Sequence, residues 1–254
     1  MTLKKFFLLC SVAYMLVISN PTFSQENPSE AFKCALEKLF SPKKIEFCAE
    51  NCSQNFFKKI YIKAEEAITS ELPLEMVEIE AEDVEFNSPE EWKEGNIKIL
   101  SVKNIKLIML VTEENLNKFL SEKIRKNNID GLRKANVKIK RDFLYLAASY
   151  QIDGLPLRIL VELKSKLGIE ESKIVLKDYK LYLSGLAAGD DFTYHLLSKI
   201  NPVFDLKKLP FPVEHAQIEQ SDGKIIIRTT ELPHKPTSLS FTWRDNSNPT
   251  HIRN

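Results

Sequence analysis

The extended runs in the second half of this 254-residue chain are separated by turns too short to reverse anything but an antiparallel neighbour. Strands are expected at about 136–142, 143–152, 157–166 and 173–183, with Asp153-Gly154 and Gly168 marking turns between them. A closing hairpin is expected from Val213–Gln220 and Lys224–Thr230, joined at Asp222-Gly223, a strong two-residue turn signal. Parallel neighbours need crossovers of roughly a dozen residues or more, so these runs form a meander. Upstream, Met76 to Phe86 alternates Val77, Ile79 and Ala81 with Glu78, Glu80 and Glu82, a strand with one wet face. Ser88-Pro89 opens a loop to Gly95, and Ile97 to Thr112 supplies one long strand or a hairpin.

Four segments read as helices. Ser29 caps a short one carrying Ala31, Phe32, Ala35, Leu36 and Leu39, ended by Ser41-Pro42. A longer one is expected from about Glu50 to Glu71, where Phe56, Phe57, Ile60, Ala64, Ala67 and Ile68 recur at helical spacing. Thr112 caps a third, with Glu113 and Glu114 at its positive end and one apolar stripe of Leu116, Phe119, Leu120 and Ile124. The fourth spans about Asp190 to Ile200. Together these predict an α+β fold, with amphipathic helices against one face of a curved antiparallel sheet.

The N-terminus reads as an address. Lys4 and Lys5 precede an apolar run from Phe6 to Ser19, and Thr22-Phe23-Ser24 supplies small residues at the cleavage positions. Residues 1–25 are therefore expected to be a removed signal peptide, and the run is short for a membrane span. Its loss changes the formal charge from +1 to −1, a balance that argues against a nucleic-acid partner. Cys34, Cys48 and Cys52 then face an oxidising compartment, in the periplasm or at the cell surface. If a helix runs through Cys48 and Cys52, a bridge between those two would be strained, which favours Cys34 with one of them.

Two of the later strands carry apolar residues on both faces. Leu144, Leu146 and Ala148 oppose Phe143, Tyr145 and Ala147; Val175, Tyr179, Leu181 and Leu183 oppose Ile174, Leu176 and Tyr182. Such strands need cover on both sides, from protein or from an apolar ligand. Reactive constellations are sparse. The four histidines show no metal-ligand spacing, and Ser184-Gly185 is half of a nucleophile elbow. Seven glycines form no phosphate loop, and the acids of 78–85 read as a solvated strand face rather than calcium ligands. The expectation is a non-catalytic chain with no cofactor and no metal. Arg133, Lys134, Lys138, Lys140 and Arg141 form a basic run that suits either a solvated strand edge or anionic headgroups.

Several segments resemble one family in order and spacing. Val111-Thr112-Glu113-Glu114-Asn115-Leu116 is similar to the helix start of the LmeA-like phospholipid-binding proteins of bacterial envelopes. Ile152-Asp153-Gly154-Leu155-Pro156-Leu157 resembles their Gly-Leu-Pro turn, and Asn201-Pro202 through Leu209-Pro210-Phe211-Pro212 their segment before the terminal hairpin at Asp222-Gly223. The likeness covers roughly residues 55–230. It implies a strongly curved sheet of the tubular lipid-binding kind, a phospholipid or other acyl-chain ligand, peripheral membrane contact, and no catalysis. On this reading residues 26–50 are a cysteine-bearing helical segment, 51–230 the lipid-binding-like domain and 231–254 a flexible tail. Leu116, Phe119, Leu120 and Ile124 are the candidate lining residues on the helix, with Leu144, Leu146, Leu181 and Leu183 opposite; Lys138, Lys140 and Arg141 are headgroup candidates. The alternative is an envelope scaffold with a dry core and no ligand.

Overall fold

A computed structural model describes residues 28–51, 55–69, 72–127, 132–151, 157–213, 215–236 and 241–242. The N-terminal apolar run and Cys52 lie outside the described residues. In chain order the elements are α1 (Pro28–Phe40), β1 (Lys44–Asn51), β2 (Phe56–Thr69), β3 (Leu72–Phe86), α2 (Pro89–Lys93), β4 (Ile99–Ser101), β5 (Asn104–Thr112), α3 (Glu113–Asn127), β6 (Leu132–Lys140), β7 (Phe143–Gln151), β8 (Arg158–Glu170), β9 (Lys173–Leu183), β10 (Leu186–Ala187), α4 (Asp190–Ile200), β11 (Phe204–Asp205), a 3-10 turn (Leu206–Lys208), β12 (Gln217–Ser221), β13 (Lys224–Arg228) and β14 (Phe241–Thr242). The strands pair antiparallel in two open sheets. Sheet A runs β12-β13-β5-β3-β2-β1-β14, with β4 on β3; sheet B is the expected meander, β10-β9-β8-β7-β6, with β11 on β9.

Sheet A is one-sided. Phe47, Ile62, Ile79 and Leu107 lie in register across four strands, and Ile45, Ala64, Val77, Met109 and Ile227 form the next row. All of them are buried. The opposite face carries cross-strand ion pairs: Lys59 to Glu80 at 2.8 Å, Lys63 to Glu78 at 3.2 Å and Lys44 to Glu65 at 3.5 Å.

The helix expected over 50–71 is two strands instead. In β2 the buried positions are 57, 60, 61, 62, 64, 67 and 69, and from 60 the core-facing ones step by two to 64 and then by three to 67. The step of three falls where Glu66 adopts a left-handed conformation, φ +48°, which resets the alternation and imitates a helical spacing. In β3, Asp83 at φ +49° does the same, moving burial from 77, 79 and 81 to 84 and 86. The paired glutamates and lysines between these positions form the wet face of the hairpin, not of a helix.

Nor does a boundary fall at residue 50, because that position is inside β1. Helix α1 forms where expected, with Glu30 in its first turn and Lys38 in its last. It ends at Ser41, φ +40°, whose N–H donates to the Glu37 carbonyl at 2.7 Å. The ring of Phe32 lies 4.9–5.2 Å from those of Trp92, Phe57, Phe86 and Phe47. The expected loop after Ser88 contains α2, which supplies Trp92; Asn87 holds that indole by accepting from its Nε1 at 3.1 Å.

The chain after β13 is bound as far as it is described, rather than loose. Thr229 exchanges bonds with the Leu107 backbone, and its N–H donates at 2.9 Å. The N–H of His234 donates to Glu80 at 2.6 Å, and Lys235 reaches Glu46 at 2.9 Å. This strap changes the reading of the acidic strand face, for Glu80 is only 1% exposed. Burial alone would push its carboxyl up, but Lys59, the His234 N–H and Lys106 outweigh that and hold it below its ordinary 4.5. A depressed carboxyl stabilises the fold above the unfolded-state value and loses that contribution as pH falls through the folded one. Glu80→Gln is therefore expected to cost about 2 kcal/mol at neutral pH. In urea titrations its difference from the parent should narrow below pH 4.5; a gap that stays constant down to pH 3 would refute the assignment.

Candidate functional site

Sheet B has one face far more apolar than the other. Register places Val137, Leu146, Leu163 and Leu181 in a single row across four strands. The next row holds Ala135, Ala148, Val161 and Leu183, and Leu183 pairs onward with Leu186. The β8 positions 163, 165, 167 and 169 share this face by alternation, and they bring Leu176 and Ile174 with them through the pairs Leu167–Leu176 and Ile169–Ile174.

That last placement corrects the two-sided reading of 173–183. Between Lys180 and Lys177 strand β9 spends three residues where β8 spends two, from Lys164 to Lys166. The extra residue is a bulge at Asp178, φ +48°. Ile174 and Leu176 therefore join Leu181 and Leu183 on the inner face, and Val175 goes to the other side. Strand β7 has its faces as expected, with Leu144, Leu146 and Ala148 inward.

Burial along the inner face is graded. Ile139 and Val137 are buried in the core shared with sheet A. Leu163 (3% exposed) and Leu181 (4%) form a second buried cluster with Leu176 and with Leu197 of α4. Leu144, Leu146, Val161, Ala148 and Leu183 are half-buried. Leu186, at the end of the row, is 76% exposed. Tyr150, Leu157, Phe192 and Tyr194 are also exposed where the strands and α4 meet this end. The face is thus closed where it joins sheet A and open at the end bearing Leu186.

One seam fixes that geometry. Strand β6 is the last of its sheet, and from Val137 to Arg141 its outward backbone groups are met by side chains and a turn. Asn117 of α3 accepts from the Val137 N–H at 2.7 Å and donates to its carbonyl at 2.9 Å, as another strand would. Glu113 accepts from the Ile139 N–H at 2.9 Å. Gly223, at φ +79°, donates to the Ile139 carbonyl at 2.9 Å and accepts from the Glu113 N–H at 2.9 Å. Asp222 accepts from the Arg141 N–H at 3.1 Å. Helix α3 starts on Thr112, whose hydroxyl accepts from the Asn115 N–H at 3.2 Å, so its apolar stripe turns toward the core.

Of the lining candidates, Leu116, Leu120, Leu144 and Leu146 pack against one core, and Leu144 and Leu146 also touch the cluster that contains Leu181. Leu183 continues that face. Phe119 and Ile124 are half-buried and belong to neither buried cluster. Sequence reasoning missed Leu163, Val161 and Leu197. The first two carry a readable alternation with Ser165 and Leu167; Leu197 does not, because only the packing of α4 says which of its apolar residues faces the sheet. Lys138 and Lys140 stand on the opposite face of sheet B, opposite Tyr145 and Phe143, and Arg141 lies in the turn that follows.

Other features lie away from this face. Two hollows of about 590 and 560 Å³ flank the β8–β9 turn, lined by Glu170, Glu171, Lys173 and Asn201 in one and by Glu171, Lys207 and His215 in the other. Val175 and Pro202 complete the first wall and Ile169, Ser172 and Ala216 the second, and neither lining includes a candidate lining residue. Cys34 is exposed on α1 and Cys48 is buried in β1, not in a helix; both are free thiols and no disulfide joins them.

A family profile described as LmeA-like phospholipid-binding matches residues 57–230. Neither a curated protein nor a solved structure matches the chain.

Removing the Asn117 side chain leaves a half-closed edge. Asn117→Ala is expected to lower stability by about 2 kcal/mol, since two backbone groups of β6 lose their partners at once. Amide exchange at Val137 should accelerate more than at Leu163 in the middle of the sheet; equal acceleration at both would show that the seam is not local.

Proposed function

We propose, from the premise that this chain belongs to the LmeA-like phospholipid-binding family, that it holds the acyl part of a phospholipid on the inner face of sheet B. The observation that carries this reading is the incomplete cover of one continuous apolar face: Leu146 is half-buried between Val137 and Leu163, and the next row passes from half-buried Ala148, Val161 and Leu183 to exposed Leu186. The inner face of sheet A is covered further out: Ala49, Ile105 and Ile218 at its margins are half-buried, and none of them is exposed. An unfilled apolar surface is unfavourable in water, at about 25 cal/mol per Å², and an acyl chain laid on it recovers that energy without any charged contact.

Export through the N-terminal signal, action in the periplasm or at the cell surface, exchange of lipid with a membrane, and a non-catalytic role complete the proposal. So does a sheet B curved around its ligand in the tubular manner. These rest on Lys4 to Ser24, on the family, and on the chemistry of a face made of leucine, valine and alanine.

Purified protein should carry lipid that solvent extraction and mass spectrometry recover, and should take up a fluorescent phospholipid. Leu146→Asp and Leu183→Asp, at half-buried positions, are expected to fold and to lose at least about tenfold in affinity, or about 1.4 kcal/mol. Absence of bound lipid together with unchanged behaviour of both variants would favour the scaffold with a dry core.

A further inference from the structure

The outer face of sheet B is built for a negatively charged surface. Residues 132–183 hold eleven Lys and Arg against six Asp and Glu, whereas the rest of the chain holds 25 against 29. Near-neutral total charge conceals this separation. Register then concentrates the cations: Lys138, Tyr145, Lys164 and Lys180 form one row across four strands. Lys140 and Phe143 lie on one side of it and Lys134 and Ser149 on the other. Lys166 pairs directly with Lys177.

Two pairs of lysines directly opposite one another are costly, because like charges across a strand pair repel. Lys166 and Lys177 are relieved by Asp178 at 2.9 Å and Glu170 at 2.8 Å. Lys164 rests over the Phe143 ring at 3.9 Å, a contact that leaves its charge in place. Glu162 stands on the same face in the neighbouring row, where it accepts from the Tyr145 hydroxyl, and no carboxylate among the described residues pairs with Lys138, Lys140, Lys164 or Lys180. Solubility does not require this arrangement, since sheet A keeps a wet face by pairing lysine with glutamate strand by strand. Edge protection does not explain it either: β8 and β9 are interior strands, and the β6 edge is already closed.

We infer that this face docks the protein on a bilayer rich in anionic phospholipid headgroups. Charge complementarity argues for the occupant, and the exposed apolar rim argues for a membrane over a soluble polyanion. Leu160 stands on the same outer face beside Ser149 and Lys134, and Leu157 and Leu186 are exposed at the same end of the sheet. A headgroup layer engaged by the lysines would meet that rim, and so would bring the open end of the inner face to the lipid it takes up. The inference rests on the proposed function for its purpose, but its test does not.

The test is flotation with phosphatidylcholine vesicles, with and without phosphatidylglycerol, at low and at physiological ionic strength. Binding is expected only with phosphatidylglycerol and should weaken with salt. Lys164→Ala and Lys180→Ala should each weaken it about fivefold, a contribution of about 1 kcal/mol per charge, whereas Lys58→Ala on sheet A should not. Equal binding to neutral vesicles, no binding to either, or tighter binding to duplex DNA than to anionic vesicles would each overturn the inference. Uptake of a short-chain fluorescent phospholipid without vesicles separates the two readings. It should survive both lysine substitutions, and its absence from a protein that still floats with anionic vesicles would sink the carrier and leave the docking face standing.

Discussion

The exposed backbone edge of β6 is the constraint on which the rest depends. An antiparallel sheet that does not close leaves a row of unpaired N–H and C=O groups, and a buried row of that kind is costly. Here the row is answered by Asn117, Glu113, Gly223 and Asp222. Three consequences follow from one set of bonds. Helix α3 is held along sheet B with its leucines inward. The terminal hairpin, which is part of sheet A, is tied to the first strand of sheet B. And Val137 and Ile139 are drawn into the main core, which closes that end of the inner face. A glycine is needed at 223 because both of its backbone groups serve the seam at a φ of +79° that other residues reach at a cost of about 1 kcal/mol.

The two sheets use the same strand chemistry to opposite ends. Sheet A buries most of one face under α1, the segment around Phe211 and part of sheet B, and neutralises the other by lysine–glutamate pairs and the strap after Thr229. Sheet B leaves its apolar face progressively uncovered and its polar face predominantly cationic. Both departures cost stability, and the better-covered sheet A supplies the stability they use. That division suits a member of a phospholipid-binding family: a well-packed half fixes the frame, and ligand sites are commonly drawn from less stable regions.

Much of this was legible from residues. The meander of sheet B, helix α4 over 190–200, the Thr112 cap and the Asp222-Gly223 turn follow from spacing and turn chemistry alone. What misled was phase. Glu66, Asp83 and Asp178 adopt left-handed conformations that no local pattern announces, because a non-glycine residue there is held by its neighbours on the paired strand. At Glu66 the result imitated a helix; at Asp178 it made a one-sided strand look two-sided. The site suffered differently. The leucines of α3 and β7 could be named, but the partners that complete the face, Leu163 and Leu197, are defined by a cross-strand register and a helix packing between residues distant in sequence.

The correction at Asp178 strengthens the functional argument instead of weakening it. Had β9 carried apolar residues on both faces, sheet B would have needed cover on both sides, and a buried sandwich core would explain the sequence without any ligand. With the bulge in place, one face holds Ile174, Leu176, Leu181 and Leu183 and the other holds Val175, Lys177, Lys180 and Tyr182. A face bearing Lys138, Lys164 and Lys180 without carboxylate partners among the described residues is costly to bury against more protein unless anions meet it. The apolar face must therefore be satisfied from the inner side alone, by α3, α4 and whatever occupies the stretch they leave half-covered. The same single residue that obscured the strand in the sequence is what separates a greasy surface from a charged one across the thickness of one sheet.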